Sequence, residues 1–191
     1  MRKCIISMNL SLDGFMAGPD KELDWHFDHW HEAMGDRLLE QLEKSDTLLL
    51  GRTTYEAMSA YWPFKPLEQD FPRQDLAIAD KMNRLTKIVF SKTCSSGIWY
   101  NTIYTARNIE EEISLLRSQK GKNMLLFGSG TLASAFIQSK LADEFLLWIH
   151  PVILGKGYSL FKNGIARLNL ILIQSVVFES GVILLIYQNR R

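Results

Sequence analysis

The sequence lacks the features typical of disulfide-rich, nucleic-acid-binding or membrane-spanning proteins. Its only cysteines, Cys4 and Cys94, are too few for a disulfide framework and lack paired metal-ligand spacing. The formal net charge is +1 and no cluster of Lys and Arg occurs, so we expect no nucleic-acid partner. No apolar run is long enough to cross a membrane, so we expect a cytoplasmic protein with no membrane partner.

Size and element order favour one α/β domain. The chain has 191 residues and 47% hydrophobic content, which predicts a single domain over 1–191 with a sizeable core. Predicted strands alternate with helices as far as about residue 150 and only strands follow, which indicates a mostly parallel sheet with an antiparallel C-terminal hairpin. The predicted strands are 3–9, 47–50, 87–90, 99–104, 123–127, 145–149, 170–178 and 182–187. The predicted helices are 31–43, 53–60, 74–83, 109–119 and 131–139, and 15–27 is expected to be an irregular loop.

A glycine-rich turn links a buried strand directly to a helix at Gly128, Ser129, Gly130 and Thr131. The first turn of a helix has unpaired N–H groups and a partial positive charge, so it attracts phosphate. The turn comes too late in the chain for the usual Rossmann domain, whose glycine motif follows the first strand. The alternative is that these glycines serve only close packing between helix and strand.

Two further strand ends have groups suited to an anion. Gly51, Arg52, Thr53 and Thr54 offer amides, hydroxyls and a guanidinium, and an Arg in such a place selects the 2′-phosphate of NADPH. Ser91 and Lys92 follow another strand. Because parallel strands end at one edge of a sheet, the three turns are expected to converge on one dinucleotide. The alternatives are a surface ion pair for Arg52 and a solvated charge for Lys92.

Asp13 directly follows the first strand, in the turn Ser11-Leu12-Asp13-Gly14. A carboxylate at the edge of a cleft is able to hold a substrate or relay a proton. Its alternative role is a turn residue that accepts hydrogen bonds from nearby backbone.

The histidines carry a weaker signal. His26, His29 and His31 lack metal-type spacing on a regular element, so we expect an aromatic-rich loop and no metal. Trp25 in the same loop is expected to cover a planar ligand. His150 precedes Pro151 and is interpreted as the end of a strand in preference to a catalytic base.

Several short motifs together resemble the dihydrofolate reductase-like family, which includes the reductase domain of bifunctional riboflavin-biosynthesis deaminase/reductases. They span nearly the whole chain, in the order 11–15, 50–56, 89–92, 127–132 and 150–157. The resemblance implies a three-layer fold, with a mostly parallel central sheet flanked by helices and NADPH lying across the strand C-termini. Dihydrofolate reductases hold the pterin ring with a carboxylate on the helix after the first loop, and Asp24 and Asp28 are the nearest counterparts here.

The resemblance also implies roles for individual residues. Toward the adenosine half of NADPH it places Gly51, Arg52, Thr53 and Thr54; toward the 2′-phosphate, Ser91 and Lys92; and toward the pyrophosphate, Gly128, Ser129, Gly130 and Thr131. Asp13, Leu154 and Gly155 are expected to face the nicotinamide or the substrate, together with Trp25.

These observations predict an NADPH-dependent reductase for a pterin-like or 5-amino-6-ribosylaminopyrimidine-like substrate. The riboflavin-pathway 5-amino-6-(5-phosphoribosylamino)uracil reductase is one such enzyme. The alternative is a non-catalytic nucleotide-binding or sensing module, since a fold alone does not fix function. The apolar C-terminal strands also predict a homodimer.

Overall fold

The computed structural model describes residues 1–161 and 165–190. Its strands are β1 (Cys4–Ser11), β2 (Phe15–Ala17), β3 (Ser45–Gly51), β4 (Thr86–Phe90), β5 (Thr102–Thr105), β6 (Asn123–Gly128), β7 (Glu144–His150), β8 (Tyr158–Ser159), β9 (Leu170–Val177) and β10 (Ile183–Asn189). Its α-helices are α1 (Asp24–Phe27), α2 (Glu32–Glu43), α3 (Arg52–Tyr61), α4 (Leu76–Arg84), α5 (Ile109–Ser118) and α6 (Gly130–Gln138), with short 3-10 turns at Lys65–Leu67 and Arg73–Asp75.

Eight strands form one twisted sheet in the order β5-β4-β3-β6-β1-β7-β10-β9. The strands from β5 to β7 in this order are mutually parallel, whereas β10 runs antiparallel to both β7 and β9. This arrangement confirms the mostly parallel sheet with an antiparallel C-terminal hairpin. Helices cover both faces of the sheet. In β1, for example, Ile6 packs in the core beneath α5 and α6, whereas the adjacent Ile5 packs in the core beneath α2, α3 and α4.

The strand register aligns the carboxyl ends at one edge of the sheet. Gly51 pairs with Phe90, Leu50 with Gly128, and Ser11 with His150. The segments that follow these strands therefore emerge side by side, and they include all three turns singled out in the sequence. We call this side of the sheet the strand-end edge.

The expected irregular loop over 15–27 is wrong in two places. Phe15–Ala17 forms a strand that pairs with Tyr158–Ser159 far along the chain, and Asp24–Phe27 forms a single helical turn. Gly157 allows this pairing because its φ of +153° and its contact with the Ala17 carbonyl oxygen leave no space for a Cβ. No local pattern in either segment signals a partner so distant in sequence.

The predicted strand 99–104 is also misplaced, because only Thr102–Thr105 pairs with β4. Trp99 is fully buried instead, and its indole N–H donates to Asn83 Oδ1 at 2.7 Å. A side chain of this size is held by core packing, which β propensity does not capture.

Lys87 is an ionisable side chain that is completely buried. Its ammonium donates to the carbonyl oxygen of Asn83 at 2.7 Å, near the C-terminus of α4, and lies 4.5 Å from the centre of the Trp99 ring. Burial nevertheless lowers the pKa of Lys87 from 10.5 to about 8, because these contacts do not compensate for the hydration that the ammonium loses.

The lowered pKa of Lys87 predicts a specific dependence of stability on pH. As the pH rises from about 8 toward 10.5, the unfolded chain still holds a proton that the folded chain has lost, so the wild-type protein gains stability relative to Lys87→Met. Urea unfolding of both proteins across this range measures the gain. The exposed Lys120→Met serves as control and should not change the slope. A difference in stability between wild type and Lys87→Met that does not vary with pH would show that burial does not lower the pKa of Lys87.

Candidate functional site

Two strand-to-helix turns touch each other at the strand-end edge. A Cβ on Gly51, which precedes α3, would lie 2.6 Å from the Ser129 hydroxyl oxygen. A Cβ on Gly128 would lie 2.8 Å from the Thr54 hydroxyl oxygen, and the φ of Gly128 is +139°. Gly128 therefore requires glycine, a Cβ on Gly51 would displace the Ser129 hydroxyl, and the N-termini of α3 and α6 are held side by side.

These contacts separate the two roles considered for the glycines. The Cβ directions of Gly51 and Gly128 point at protein atoms, and that of Gly130 points at the Met16 side chain, so the glycines do serve close packing. The phosphate-binding potential resides instead in the backbone amides. Ser129 caps α6 by accepting from Leu132 N at 3.4 Å, and its carbonyl accepts from Ala133 N, the first helical bond. The amides of Gly130 and Thr131 precede that bond and are oriented as donors at the helix end.

The polar residues of the other two turns differ in how much the protein already uses them. The side chain of Arg52 is half-exposed, and its ion pair with Glu56 is long at 3.8 Å. Because solvent screens such an exposed ion pair, the Arg52 guanidinium remains available to an anion. Thr53 and Lys92 are exposed. The Ser91 hydroxyl, in contrast, accepts from the amide of Cys94 at 2.9 Å and thereby shapes its own turn.

Asp13 ties together the loops that follow β1 and β7. Its carboxylate accepts from the Gly155 amide at 2.7 Å, from the Leu154 amide at 3.1 Å and from the Ser11 hydroxyl at 2.7 Å. These hydrogen bonds, led by that from Ser11, lower the pKa of Asp13 below its ordinary 3.8. Asp13 is therefore ionised at neutral pH, when it accepts hydrogen bonds and has no proton to give.

A cluster of aromatic and imidazole rings covers the end of β7. The His150 ring centre lies 5.3 Å from that of Trp25 and 5.8 Å from those of both His26 and His29. His150 is 1% exposed, and its Nε2 lies 3.1 Å from Asn9 Oδ1 on the adjacent strand. The sequence does not predict this cluster, because no spacing rule relates His150 to residues 26–31, which lie far away in the chain.

Burial keeps two of these imidazoles, His150 and His26, uncharged near neutral pH. It lowers the pKa of His150 to about 4, and neighbouring His26 and His29 add to the effect. Burial likewise lowers the pKa of His26 to about 4. Within residues 1–161 and 165–190, no group of three or more His, Cys, Asp or Glu has an arrangement suited to a metal ion. Across the same residues, no helix has the length and apolar character needed to span a bilayer.

Known proteins resemble this chain in sequence and in fold. The family described as the RibD C-terminal domain matches residues 2–184. The uncharacterized protein YyaP of Bacillus subtilis (strain 168) is 33% identical over 186 residues, covering 97% of this chain and 94% of YyaP.

Two solved structures have the same fold. A candidate riboflavin biosynthesis protein from Shewanella sp. PV-4 has a TM-score of 0.76 and 23% identity, with 99% of each chain covered. Dihydrofolate reductase from Enterococcus faecalis, complexed with NADP(H) and RAB-propyl, has a TM-score of 0.62 and 14% identity, covering 99% of this chain and 97% of that enzyme. At such identities these two structures show the fold alone.

The Asp13 contacts predict the effect of Asp13→Asn on the loop after β7. An amide keeps one acceptor oxygen but turns an NH2 group toward a backbone N–H, so the Leu154 and Gly155 amides should exchange with solvent several-fold faster. Hydrogen exchange followed by NMR measures this. Asp20→Asn, a change at an exposed residue nearby, is the matched control. Unchanged exchange at both amides in Asp13→Asn would show that the carboxylate does not hold the loop.

Proposed function

Since the chain belongs to the RibD C-terminal domain family, we propose that it is an NADPH-dependent reductase of a small heterocyclic substrate. Family membership supports an oxidoreductase of the riboflavin-biosynthesis and dihydrofolate reductase-like kind. The proposal adds the cofactor and the substrate class, a pterin-like or 5-amino-6-ribosylaminopyrimidine-like ring that accepts hydride at a C=N or C=O carbon. A 5-amino-6-(5-phosphoribosylamino)uracil is one such substrate.

The observation that carries this proposal is the contact between the two strand-to-helix turns. Gly51 against Ser129 and Gly128 against Thr54 bring the N-termini of α3 and α6 together at one edge of a parallel sheet. Two helix N-termini with exposed hydroxyl and guanidinium groups beside them suit a ligand that has phosphates at more than one place. The dihydrofolate reductase of the same fold is a complex with NADP(H), which supports the same cofactor here.

The chain's own residues fit such a cofactor. We propose that Gly130 and Thr131 amides, positioned by Gly128 and Ser129, hold the pyrophosphate. The adenosine half would lie against the turn formed by Gly51, Arg52, Thr53 and Thr54, and its 2′-phosphate would meet Arg52 and Lys92, with Ser91 shaping the turn that presents Lys92. NADPH bound in this way would supply the hydride.

The remaining residues act on the substrate side. Asp13 is ionised and already accepts hydrogen bonds from the Leu154 and Gly155 amides, which supports a role in positioning that loop and accepting from substrate. The ionised Asp13 has no proton of its own to donate, so we propose that it assists the proton step through a water molecule. Trp25, Leu154 and Gly155 would form the walls around the ring. A non-catalytic nucleotide-binding module is the second candidate, distinguished by cofactor binding without turnover.

Titration with NADPH and NADH, followed by quenching of tryptophan fluorescence, tests the cofactor. We expect NADPH to bind at least ~10-fold more tightly than NADH, because a guanidinium paired with phosphate contributes on the order of 1.5–3 kcal/mol. Arg52→Gln should remove most of this preference by weakening NADPH and leaving NADH unchanged. Arg84→Gln, at an exposed ion pair on α4, is the matched control.

The outcomes of that titration separate the candidates. Binding of NADPH together with oxidation of NADPH by a pterin or aminopyrimidine substrate supports the reductase. Binding without turnover of any such substrate favours the sensing module. No binding of either nucleotide would overturn both proposals and leave the turns with a packing role alone.

We also propose that two copies associate through β9. This strand lies at the edge of the sheet and exposes apolar side chains, with Ile173 56% and Val177 73% accessible. The outer side of an edge strand has unpaired backbone N–H and C=O groups, which can pair with another strand. A second copy of β9, related by a two-fold axis, would supply the partners for these groups.

Size-exclusion chromatography with light scattering tests the dimer at micromolar concentration. The wild type should have twice the chain mass, and Ile173→Lys should shift it to monomer because the charge would be buried at the interface. Leu67→Lys, at an apolar residue that is 81% exposed in another loop, should leave the dimer intact. A monomeric wild type would refute the association.

A further inference from the structure

Residues 24–29 lie against the end of β7, and we call them the strap. Within the part of the chain that the structure describes, their hydrogen bonds to residues outside the strap reach only its immediate neighbours, Leu23 and Trp30. The regular element that the strap contains, α1, has no side-chain cap and no buried residue. Hydrogen bonds therefore do not fasten the strap to the body of the protein.

Ring packing on one buried histidine holds the strap instead. Trp25 lies edge-on to His150 at a ring separation of 5.3 Å, and the rings of His26 and His29 each lie 5.8 Å from His150. His150 is buried, and its Nε2 faces Asn9 Oδ1 on β1. Because all three ring contacts converge on a single imidazole, its protonation affects every one of them.

The chain is anchored separately on both sides of the strap. Before the strap, β2 pairs with β8. After it, Trp30 packs in the core beneath α2, α3 and α4, and the His31 ring lies 5.6 Å from that of Phe178. The strap is thus a short connection between two fixed points, and its release from β7 breaks no strand pairing.

The surroundings of His150 offer no negative charge to its protonated form. Among the described residues, the titratable groups that act on His150 are His26 and His29, both in the strap, and both oppose its protonation. On one side β1 contributes the uncharged Asn9, and on the other the pairing of β10 with β7 places the apolar Val182 beside His150. A proton on His150 is therefore disfavoured for as long as the strap is closed.

Acidification acts on this arrangement through two histidines. Burial lowers the pKa of both His150 and His26 from 6.5 to about 4, and Asp24, a carboxylate that favours charged His26, does not offset the effect. In a released strap both groups regain the ordinary pKa of 6.5. Below that pH the released state binds protons that the closed state excludes, so closure weakens by up to ~10-fold per pH unit for each histidine. This weakening ends near pH 4, where the closed state also binds protons.

We propose that the strap is an acid-sensitive cover of the strand-end edge, closed while His150 and His26 are uncharged and released reversibly when both take up protons. Release removes Trp25 from the end of β7 and opens that end beside the Asp13 turn, since His150 pairs with Ser11. This inference does not depend on the proposed reductase function, because it concerns the protein without cofactor or substrate.

Fluorine NMR of the protein labelled with 5-fluorotryptophan tests the cover. The chain has five tryptophans, and Trp25→Phe identifies the Trp25 signal by its loss. Between pH 7.5 and 4 we expect the Trp25 signal to move reversibly to the position of a solvent-exposed indole. The signal of Trp99, which is buried far from the strap, should stay in place and show that the fold is intact. The transition should take up about two protons.

Ring-preserving variants assign the two protons. His150→Phe and His26→Phe each keep an aromatic ring in the cluster but remove one titrating group, so each should reduce the steepness of the transition to about one proton. The double variant should keep the Trp25 signal in its closed position down to pH 4. His31→Phe is the matched control, because its ring faces Phe178 outside the cluster, and it should retain the two-proton transition.

Three outcomes would overturn the proposal. The first is a Trp25 signal that does not move down to pH 4. The second is a Trp25 signal that moves only together with that of Trp99, which would indicate unfolding of the whole protein. The third is a two-proton transition that persists in both His150→Phe and His26→Phe, which would assign the protons to other groups. Because His26 lies in the strap, His26→Phe keeps the test decisive even where His150→Phe does not fold.

Discussion

The register of the central parallel strands is the constraint on which the candidate site depends. Pairing of Ser11 with His150 and of Leu50 with Gly128 makes the carboxyl ends of β1, β7, β3 and β6 coincide. A shift of one residue would exchange the side chains that pack in the two helix-covered cores, which are filled by differently shaped residues. The packing of these two cores therefore also fixes which loops meet at the strand-end edge.

Contacts beyond the sheet then join those loops into one surface. Asp13 holds the Leu154–Gly155 backbone, and Gly157 lets β8 approach β2 at Ala17. From β2 the Met16 side chain reaches across to Gly130 at the start of α6. The loop after β1 and the strand β2 that follows it are thus in contact with both the loop after β7 and the glycine-rich turn.

The parts of this arrangement that sequence could predict are those with local signals. In the sequence, the glycine turns at Gly51 and Gly128 each stand between an apolar run and a predicted helix, which predicts that they end strands. The structure confirms this, because β3 ends at Gly51 and β6 ends at Gly128. Their mutual contact, the β2–β8 pairing and the burial of Trp99 depend on residues far apart in sequence, and no periodicity encodes them. His150 is the last residue of β7 as expected, yet its burial beside Asn9 becomes visible only when β1 lies next to β7.

The two ends of the strand-end edge favour ligand groups of different charge. On one side, Arg52 in the first turn of α3 and Lys92 in the segment after β4 are exposed cations, where an anion is favoured without the cost of burying a charge. On the other side, burial keeps His26 and His150 neutral, so an ionic group entering there would be desolvated without a counter-charge. A ligand that matches both ends carries its charge at one end and an uncharged, hydrogen-bonding ring at the other. A phosphate-bearing cofactor lying beside a neutral heterocycle satisfies that requirement, which is why the cofactor and the substrate proposals support each other.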